Sequence, residues 1–531
     1  MASGPPERDW RERLPLPVIY LALFVSGGAA LVYQACWSRV LHRVFGVSDQ
    51  AVATVLAAFF LGLGAGATLG GWLVRRFRRP ARIYAALEAA IGVFGLSSLL
   101  LIPRIHDLYA GLVAGASGGG STWIRLALSL AILLPPTLLM GATLPVLVAL
   151  VARRQGWTTP ATRLYATHTF GAMTGAGLSG LVLIPELGVR ITVATAAIST
   201  LLAAAVVWKA TPQNEHENEN EHEHEHENEH ENENENQHGN LPPRVRLAVL
   251  IAAMTGMAAL ASEVLWTRVL RIIVMGTTQA FTAMLVNYLG SMALGSLLAA
   301  RWLGRGRDAA RLLAGTQTLL GALTVVAMYV AARVPRFLPM ITEDASATPF
   351  WLGDILLVSG VVLFPIALLV GTSIPLCWRL ADGGRPGKAR AARRAGAVLA
   401  ASTLGGLVGS LGAGFGAVPT MGLEAALLLV MGLHLLVASV VGSQAVGRNI
   451  VRRTLAFAGP LMLGAVLLAA EPSLHLYFLI NAHAEPKRAV LDGPGPGWRD
   501  ATLFLAEGRA TTVTVKARRR GRLELRNDGR L

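Results

Sequence analysis

Read as a string of hydrophobic and polar positions, the chain alternates long apolar runs with short polar breaks. A helix needs roughly 20 apolar residues to cross about 30 Å of hydrocarbon, and in lipid it must satisfy its own backbone hydrogen bonds. By that measure the pattern predicts twelve spans, centred in residues 16–37, 51–73, 83–103, 127–151, 165–185, 190–208, 247–266, 280–300, 312–332, 354–377, 397–418 and 423–442. A thirteenth candidate lies at 454–470. The predicted fold class is all-α and polytopic.

The pattern also repeats. "ALVYQACWSRVL" at 30–41 returns as "ALASEVLWTRVL" at 259–270, an offset of 229 that also superposes Trp37 on Trp266, Arg39 on Arg268, Gly66 on Gly295 and Gly92 on Gly321. At an offset of 230, Pro135, Gly141 and Pro145 meet Pro365, Gly371 and Pro375. At 234, Thr169, Gly171, Gly175, Gly180, Pro185 and Gly188 meet Thr403, Gly405, Gly409, Gly414, Pro419 and Gly422. Such slow drift is what loop insertions produce. The chain therefore reads as two six-helix halves, 14–210 and 244–444, preceded by a cytoplasmic N-terminus at 1–13. Six is even, so both halves enter the membrane in the same sense, a parallel repeat about an axis along the membrane normal.

Between the halves, 211–243 is a linker with Glu at every odd position from 215 to 235, a density of like charge that keeps a segment extended and solvated. Its six histidines, His216, His222, His224, His226, His230 and His238, are either incidental to a tether or of the type that takes up zinc, nickel or copper. After the thirteenth candidate, within 445–480, which is either a span or a re-entrant segment, the alternation in "TTVTVK" and "RLELRN" predicts a β-hairpin within 481–531. A lone hairpin is marginal in water, so this tail is expected to begin a domain completed elsewhere.

Composition agrees with the membrane reading: 53% of the 531 residues are hydrophobic and 15% charged. The formal charge of +15 suggests nucleic acid, but its distribution excludes it, because the arginines gather in alternate loops as the positive-inside rule expects. Taking the N-terminus as cytoplasmic, the inner loops hold Arg75 to Arg82, Arg153 to Arg163, Arg301 to Arg311, Arg379 to Arg394 and Arg448 to Arg453. Cys36 and Cys377 both fall in spans, so neither a disulfide framework nor a CxxC metal site is on offer, and no cofactor or metal is assigned.

Ionisable groups at membrane depth cost several kcal/mol unless paired or hydrated, which makes each a candidate. Glu263 and Glu88 stand out, and their repeat partners are Gln34 and Gln317, so each half keeps one carboxylate and one amide in exchanged places. Glu263, with Gln34 across the pseudo-twofold, is expected to face a central cavity as counter-charge or proton carrier for a cationic solute; the alternative is a neutral carboxyl bonded between helices. His168 either titrates or makes an interhelical hydrogen bond. Pro135, Pro145, Pro365 and Pro375 interrupt the fourth and tenth spans and free backbone carbonyls, either as kinks or as cavity-lining hinges. Arg39 and Arg268, each two residues after a tryptophan, read as interfacial anchors with ring and guanidinium at the headgroups, or as buried partners of a carboxylate.

"FVSGGAALVYQACWSRVLHRVFG", "LEAAIGVFG", "LLMGATLP" and "LYATHTFGAMTGAGLSGLVLIPELG" resemble the membrane part of bacterial proteins in which a major-facilitator-like domain is fused to a spermidine synthase. The tail "FLAEGRATTVTVKARRRGRLELRNDGR" resembles the first strands of that synthase. Gln34 and His168 stand where that family commonly has glutamate and asparagine, and Val74 where a major facilitator usually has aspartate. The resemblance implies a multi-pass protein of the inner membrane, its lipid bilayer the first partner, that transports polyamines or related small cations. Its alternative is a membrane anchor for a synthase domain that is separately encoded or downstream. None of the synthase's catalytic residues can be carried onto this chain, so aminopropyl transfer by it alone is not implied.

Overall fold

The apolar runs fold as helices with their polar residues at the ends. The computed structural model describes residues 15–45, 49–77, 79–114, 120–152, 157–211, 242–274, 278–335, 352–382, 388–446, 449–470, 473–474, 479, 502–507, 512–517 and 523–527. The readings made on residues 1–13, and on the linker with its histidines, lie outside these.

The first half holds α1 (Leu16–Phe45), α2 (Asp49–Arg76), α3 (Pro80–Ala114), α4 (Gly120–Val151), α5 (Thr158–Leu178) and α6 (Ile184–Ala210). In the second half the corresponding elements are α7 (Pro243–Val274), α8 (Thr278–Gly304), α9 (Ala309–Ala331), the pair α10 (Leu352–Val370) and α11 (Ser373–Ala381), α12 (Lys388–Leu411) and α13 (Val418–Ala445). Helix α14 (Ile450–Ala469) comes next.

Thr158–Ala210 is one helical run of 53 residues, about 80 Å if straight and far more than a bilayer's thickness. It crosses twice because it folds at Gly188, whose φ of 75° and ψ of 168° are open to glycine. Helix α6 then returns along α3 and α1. In the second half Gly422 takes the same conformation, φ 82° and ψ 167°, inside the 57-residue run Ala389–Ala445. A short π-helical stretch precedes each fold, Ser179–Leu183 and Gly412–Ala417.

The repeat holds down to individual helix crossings. Gly171 of α5 lies so close to the Phe24 carbonyl of α1 that a methyl group would collide with it, and Gly405 of α12 lies as close to the Ala253 carbonyl of α7. Gly175 against Gly28, and Gly409 against Met257, repeat the arrangement one turn on. Gly66 and Gly295 likewise meet the carbonyls of Leu138 and Leu368. In lipid, where apolar contact alone gives helices little preference for one another, such small-residue contacts set the crossings.

The two halves meet along two seams, α2 against α12 and α5 against α8. At the arginine-bearing end they share one apolar core, which takes in Val74, Val151 and Trp157 from the first half and Leu303, Trp378 and Ala391 from the second. There Trp378 packs against Trp157 at 6.2 Å and edge-on against Tyr165 at 5.8 Å, tying the halves together. At the opposite end each half has its own core.

The tail differs from expectation. It is a three-stranded antiparallel sheet, β1 (Thr502–Glu507), β2 (Thr512–Ala517) and β3 (Leu523–Asn527), in that order. Strands β2 and β3 are the hairpin that alternation predicted, with Lys516 opposite Glu524. Strand β1, the apolar "TLFLAE", joins it because an added strand covers an edge that a hairpin leaves open.

Candidate functional site

Two polar clusters lie inside the helical bundle at repeat-related positions. In the first half, α3 carries Tyr84 and Glu88 four residues apart and so on one face. Glu88 is wholly buried, and its Oε1 accepts a hydrogen bond from Ser26 Oγ of α1 at 2.5 Å. Its Oε2 and the Tyr84 hydroxyl, also buried, have no hydrogen-bond partner among the described residues. In the second half Gln317 occupies the place of Glu88 and is fully engaged. Its Nε2 donates to Ser373 Oγ of α11 at 3.1 Å, and its Oε1 lies 2.7 Å from His434 Nδ1 of α13, where the ring nitrogen donates. The counterparts of Ser373 and His434 are Thr143 and Thr200, whose hydroxyls turn back to carbonyls of their own helices.

Glu263 stands apart from both clusters. It opens onto a cleft formed by Thr267 of its own helix, by Phe281, Met284, Leu285 and Tyr288 of α8, and by Leu363 of α10. The carboxyl is half-buried and makes no hydrogen bond or ion pair with any described residue. The Tyr288 hydroxyl, in the same lining, donates to the Ala259 carbonyl at 3.3 Å. Apart from Thr267, the rest of the wall is apolar. An unneutralised carboxylate with an aromatic wall is suited to a proton or a cation.

Of the residues singled out from sequence, Gln34 is half-buried in α1, and no hydrogen bond joins it to Glu263. His168, half-buried in α5, has no hydrogen bond to a described residue, so no interhelical bond holds it. The headgroup-anchor reading of the tryptophan–arginine pairs is corrected. Trp37 and Trp266 are 1% and 0% exposed and Arg268 is 6% exposed, while Arg39 is half-buried. Trp37 stacks on Tyr33 at 4.8 Å and donates to Ser98 Oγ of α3 at 3.1 Å, because α3 wraps this part of α1. Trp266, whose neighbours at the equivalent positions are Ser262 and Ala327, finds no acceptor among the described residues.

The prolines separate the halves. Helix α4 runs unbroken through Pro135, Pro136 and Pro145, whereas the tenth span breaks at Gly371 and Thr372 between α10, which contains Pro365, and α11, which contains Pro375. Pro375 has no N–H for the carbonyl four residues back, that of Gly371. Ser296 of α8 replaces it, donating to the Gly371 oxygen at 2.8 Å. The counterpart of Ser296 is Ala67, which has no donor to offer.

Sequence reasoning passed over Ser26, Tyr84, Ser373, His434 and Tyr288. A polar residue in an apolar span whose repeat partner is also polar could have found three of them, Ser26 with Thr255, Ser373 with Thr143 and His434 with Thr200; Tyr84 and Tyr288 pair with the apolar Leu313 and Phe59 and carry no such signal. Cys36 and Cys377 are buried and unpaired. Among the described residues no three His, Cys, Asp or Glu side chains come together in a way that would hold a metal ion.

Solved structures share this architecture. The chain is similar to the major facilitator proton:xylose symporter XylE bound to 6-bromo-6-deoxy-D-glucose, with TM-score 0.54 at 13% identity over 80% of this chain and 93% of the other. It is similar as well to a bacterial homologue of the iron transporter ferroportin in the outward-facing state. With soaked iron the TM-score is 0.52 at 12% identity, over 81% of this chain and 99% of the other. Without soaked iron it is again 0.52 at 12%, over 80% and 98%. At these identities the likeness is one of fold. No curated protein sequence matches the chain. The sequence profile of the Major Facilitator Superfamily matches residues 19–413, which takes in the first repeat from residue 19 and the second through α12, and leaves α13, α14 and the tail sheet outside the match. With its two parallel six-helix halves and their paired seams, this multi-pass membrane protein belongs to the Major Facilitator Superfamily.

Proposed function

We propose that the protein is a transporter of small organic cations of the polyamine class, set in the inner membrane of a bacterium and centred on Glu263. The observation that carries this reading is an open carboxyl at membrane depth with no partner among the described residues. A charge so placed costs several kcal/mol unless something neutralises it. With no protein group on hand, the neutraliser is mobile, a proton or the solute's own ammonium. The shared core at the arginine-bearing end and the separate cores at the other leave the cleft to be reached from the opposite face. Rocking of one half on the other would exchange that access, the route of transporters built from repeats. Glu88, Gln34, Gln317 and His168 are then secondary. In this reading Glu88 is a second proton site and the others are packing groups.

A second reading, an anchor for an aminopropyltransferase unit, rests on the strands β1 to β3, which keep the pattern of the synthase-like tail. Uptake of labelled spermidine and putrescine into vesicles separates the two. Glu263→Gln is expected to lower polyamine uptake at least about tenfold, the equivalent of roughly 1.4 kcal/mol of lost charge interaction. Uptake equal to that of the native protein would remove Glu263 from the site, and a native protein without uptake would favour the anchor.

A further inference from the structure

We infer that α14 crosses the membrane completely and that the tail sheet stands on the extracytoplasmic face, fastened to the outer end of the second half by Glu424. The orientation comes first. Among the described residues, Arg75, Arg76, Arg301, Arg379 and Arg390 lie at the end of the bundle that holds the shared core, and that end is cytoplasmic by the positive-inside rule. Helix α14 starts there, with Arg452 and Arg453 in its first turn and the Asn449 side chain accepting from the Arg452 N–H at 3.2 Å.

The register of α14 on α13 shows how far it travels. Gly442 of α13 lies beside Ala456, and one step deeper Leu435 lies beside Gly464. The two helices thus run antiparallel, and the end of α14 at Ala469 comes level with Leu429 and Val430 of α13, about two turns short of the fold at Gly422. Twenty residues rise about 30 Å, the thickness of the hydrocarbon, and almost all of this surface is left outside the bundle, facing lipid. Pro460 lies within the helix without interrupting it.

The segment after α14 is held where the register puts it. Glu424 Oε1 accepts two hydrogen bonds from the tail, from the Leu474 N–H at 3.0 Å and from Ser473 Oγ at 3.3 Å. Leu474 and Leu479 are buried in the second half's own outer core, beside Ile272, Ile273 and Leu423. Strand β1 packs against α13. The repeat gives an internal control. The residue of the first half that corresponds to Glu424 is Arg190, which is exposed and has no tail to hold. The acid is present only in the half that carries the extra segment. The sheet therefore meets solutes of the outer face, beside α13.

Single cysteines in the full-length protein test the topology, since Cys36 and Cys377 are buried. In intact cells a membrane-impermeant maleimide is expected to label Leu525→Cys, a position 62% exposed in β3, and to label Arg305→Cys at the other end only after permeabilisation. Labelling of Leu525→Cys only after permeabilisation overturns the inference. The fastening is tested by proteolysis from outside. Loss of a charge-assisted pair of hydrogen bonds in Glu424→Ala is expected to speed cleavage of the tail about tenfold, while Glu424→Gln, which keeps an acceptor oxygen, stays near the native rate. Equal rates for Glu424→Ala and the native chain would show that Glu424 does not hold the tail.

Discussion

The two halves share a backbone plan and differ in how they complete it. In the first, α4 is unbroken, Trp37 finds an acceptor in Ser98, and Glu88 keeps one oxygen without a partner. In the second, the tenth span breaks, Ser296 answers the freed Gly371 carbonyl, and Gln317 is satisfied at both ends, while Trp266 has no acceptor among the described residues. Helix crossings are held by backbone contact at glycine and tolerate almost no change. The polar groups behind them can be exchanged one at a time, because a side-chain hydrogen bond contributes only about 1 kcal/mol net. Duplication has therefore kept the glycines and let the polar pairs diverge, and in doing so left one carboxyl in each half at a different place, Glu88 buried and bonded to Ser26, and Glu263 half-buried beside its cleft.

The comparison breaks most severely at the glycines. Gly171→Leu and Gly405→Leu each drive a side chain into the backbone carbonyl of the facing helix, at Phe24 and Ala253. Overpacking of this kind is expected to cost more than about 3 kcal/mol in either half, because neither helix can withdraw without opening a seam. Gel filtration in mild detergent should show loss of the monodisperse folded species for both, to the same degree. If one is tolerated and the other is not, the crossings are not equivalent and the repeat is only approximate at contact level.

A smaller effect is expected at the polar clusters, and there the halves should part. His434→Ala removes the donor to Gln317 Oε1 and leaves a buried acceptor unanswered, at a cost of about 2 kcal/mol. Thr200→Ala removes a hydroxyl that donates to carbonyls already in its own helix, and should cost no more than about 0.5 kcal/mol. Reversible unfolding in sodium dodecyl sulfate, followed by tryptophan fluorescence, measures both. Equal losses would mean that the His434–Gln317 contact does not contribute and that the second half is no better satisfied than the first.

Much of this was legible in the sequence. The spans come from apolar length and the doubling from offsets of 229 to 234, and the predicted breaks between spans at 185–190 and 418–423 contain the folds now seen at Gly188 and Gly422. What could not be read is set by the rotation of each helix about its axis. Nothing in a linear pattern says that Ser26 faces Glu88, or that His434 turns to Gln317 rather than to lipid. The tryptophan–arginine pairs misled for a related reason. Length places Trp37 and Trp266 near span ends, but α1 and α7 run for 30 and 32 residues and their neighbours cover both rings. Glu263 was legible as a charge at membrane depth, while the cleft beside it needed Tyr288 and Leu363 from two other helices.

The mildest contrast is also the one that can be reversed. Ser98 accepts the Trp37 indole N–H, and at the matching place Ala327 leaves that of Trp266 without an acceptor among the described residues. Ser98→Ala should therefore lower stability by about 1 kcal/mol, and Ala327→Ser should raise it by a similar amount, because it adds an acceptor to an indole already buried. In the same unfolding assay, a loss from Ala327→Ser would mean that the environment of Trp266 has no room for the hydroxyl. The two halves would then differ in shape around their tryptophans, and no longer only in the polar groups that each has kept.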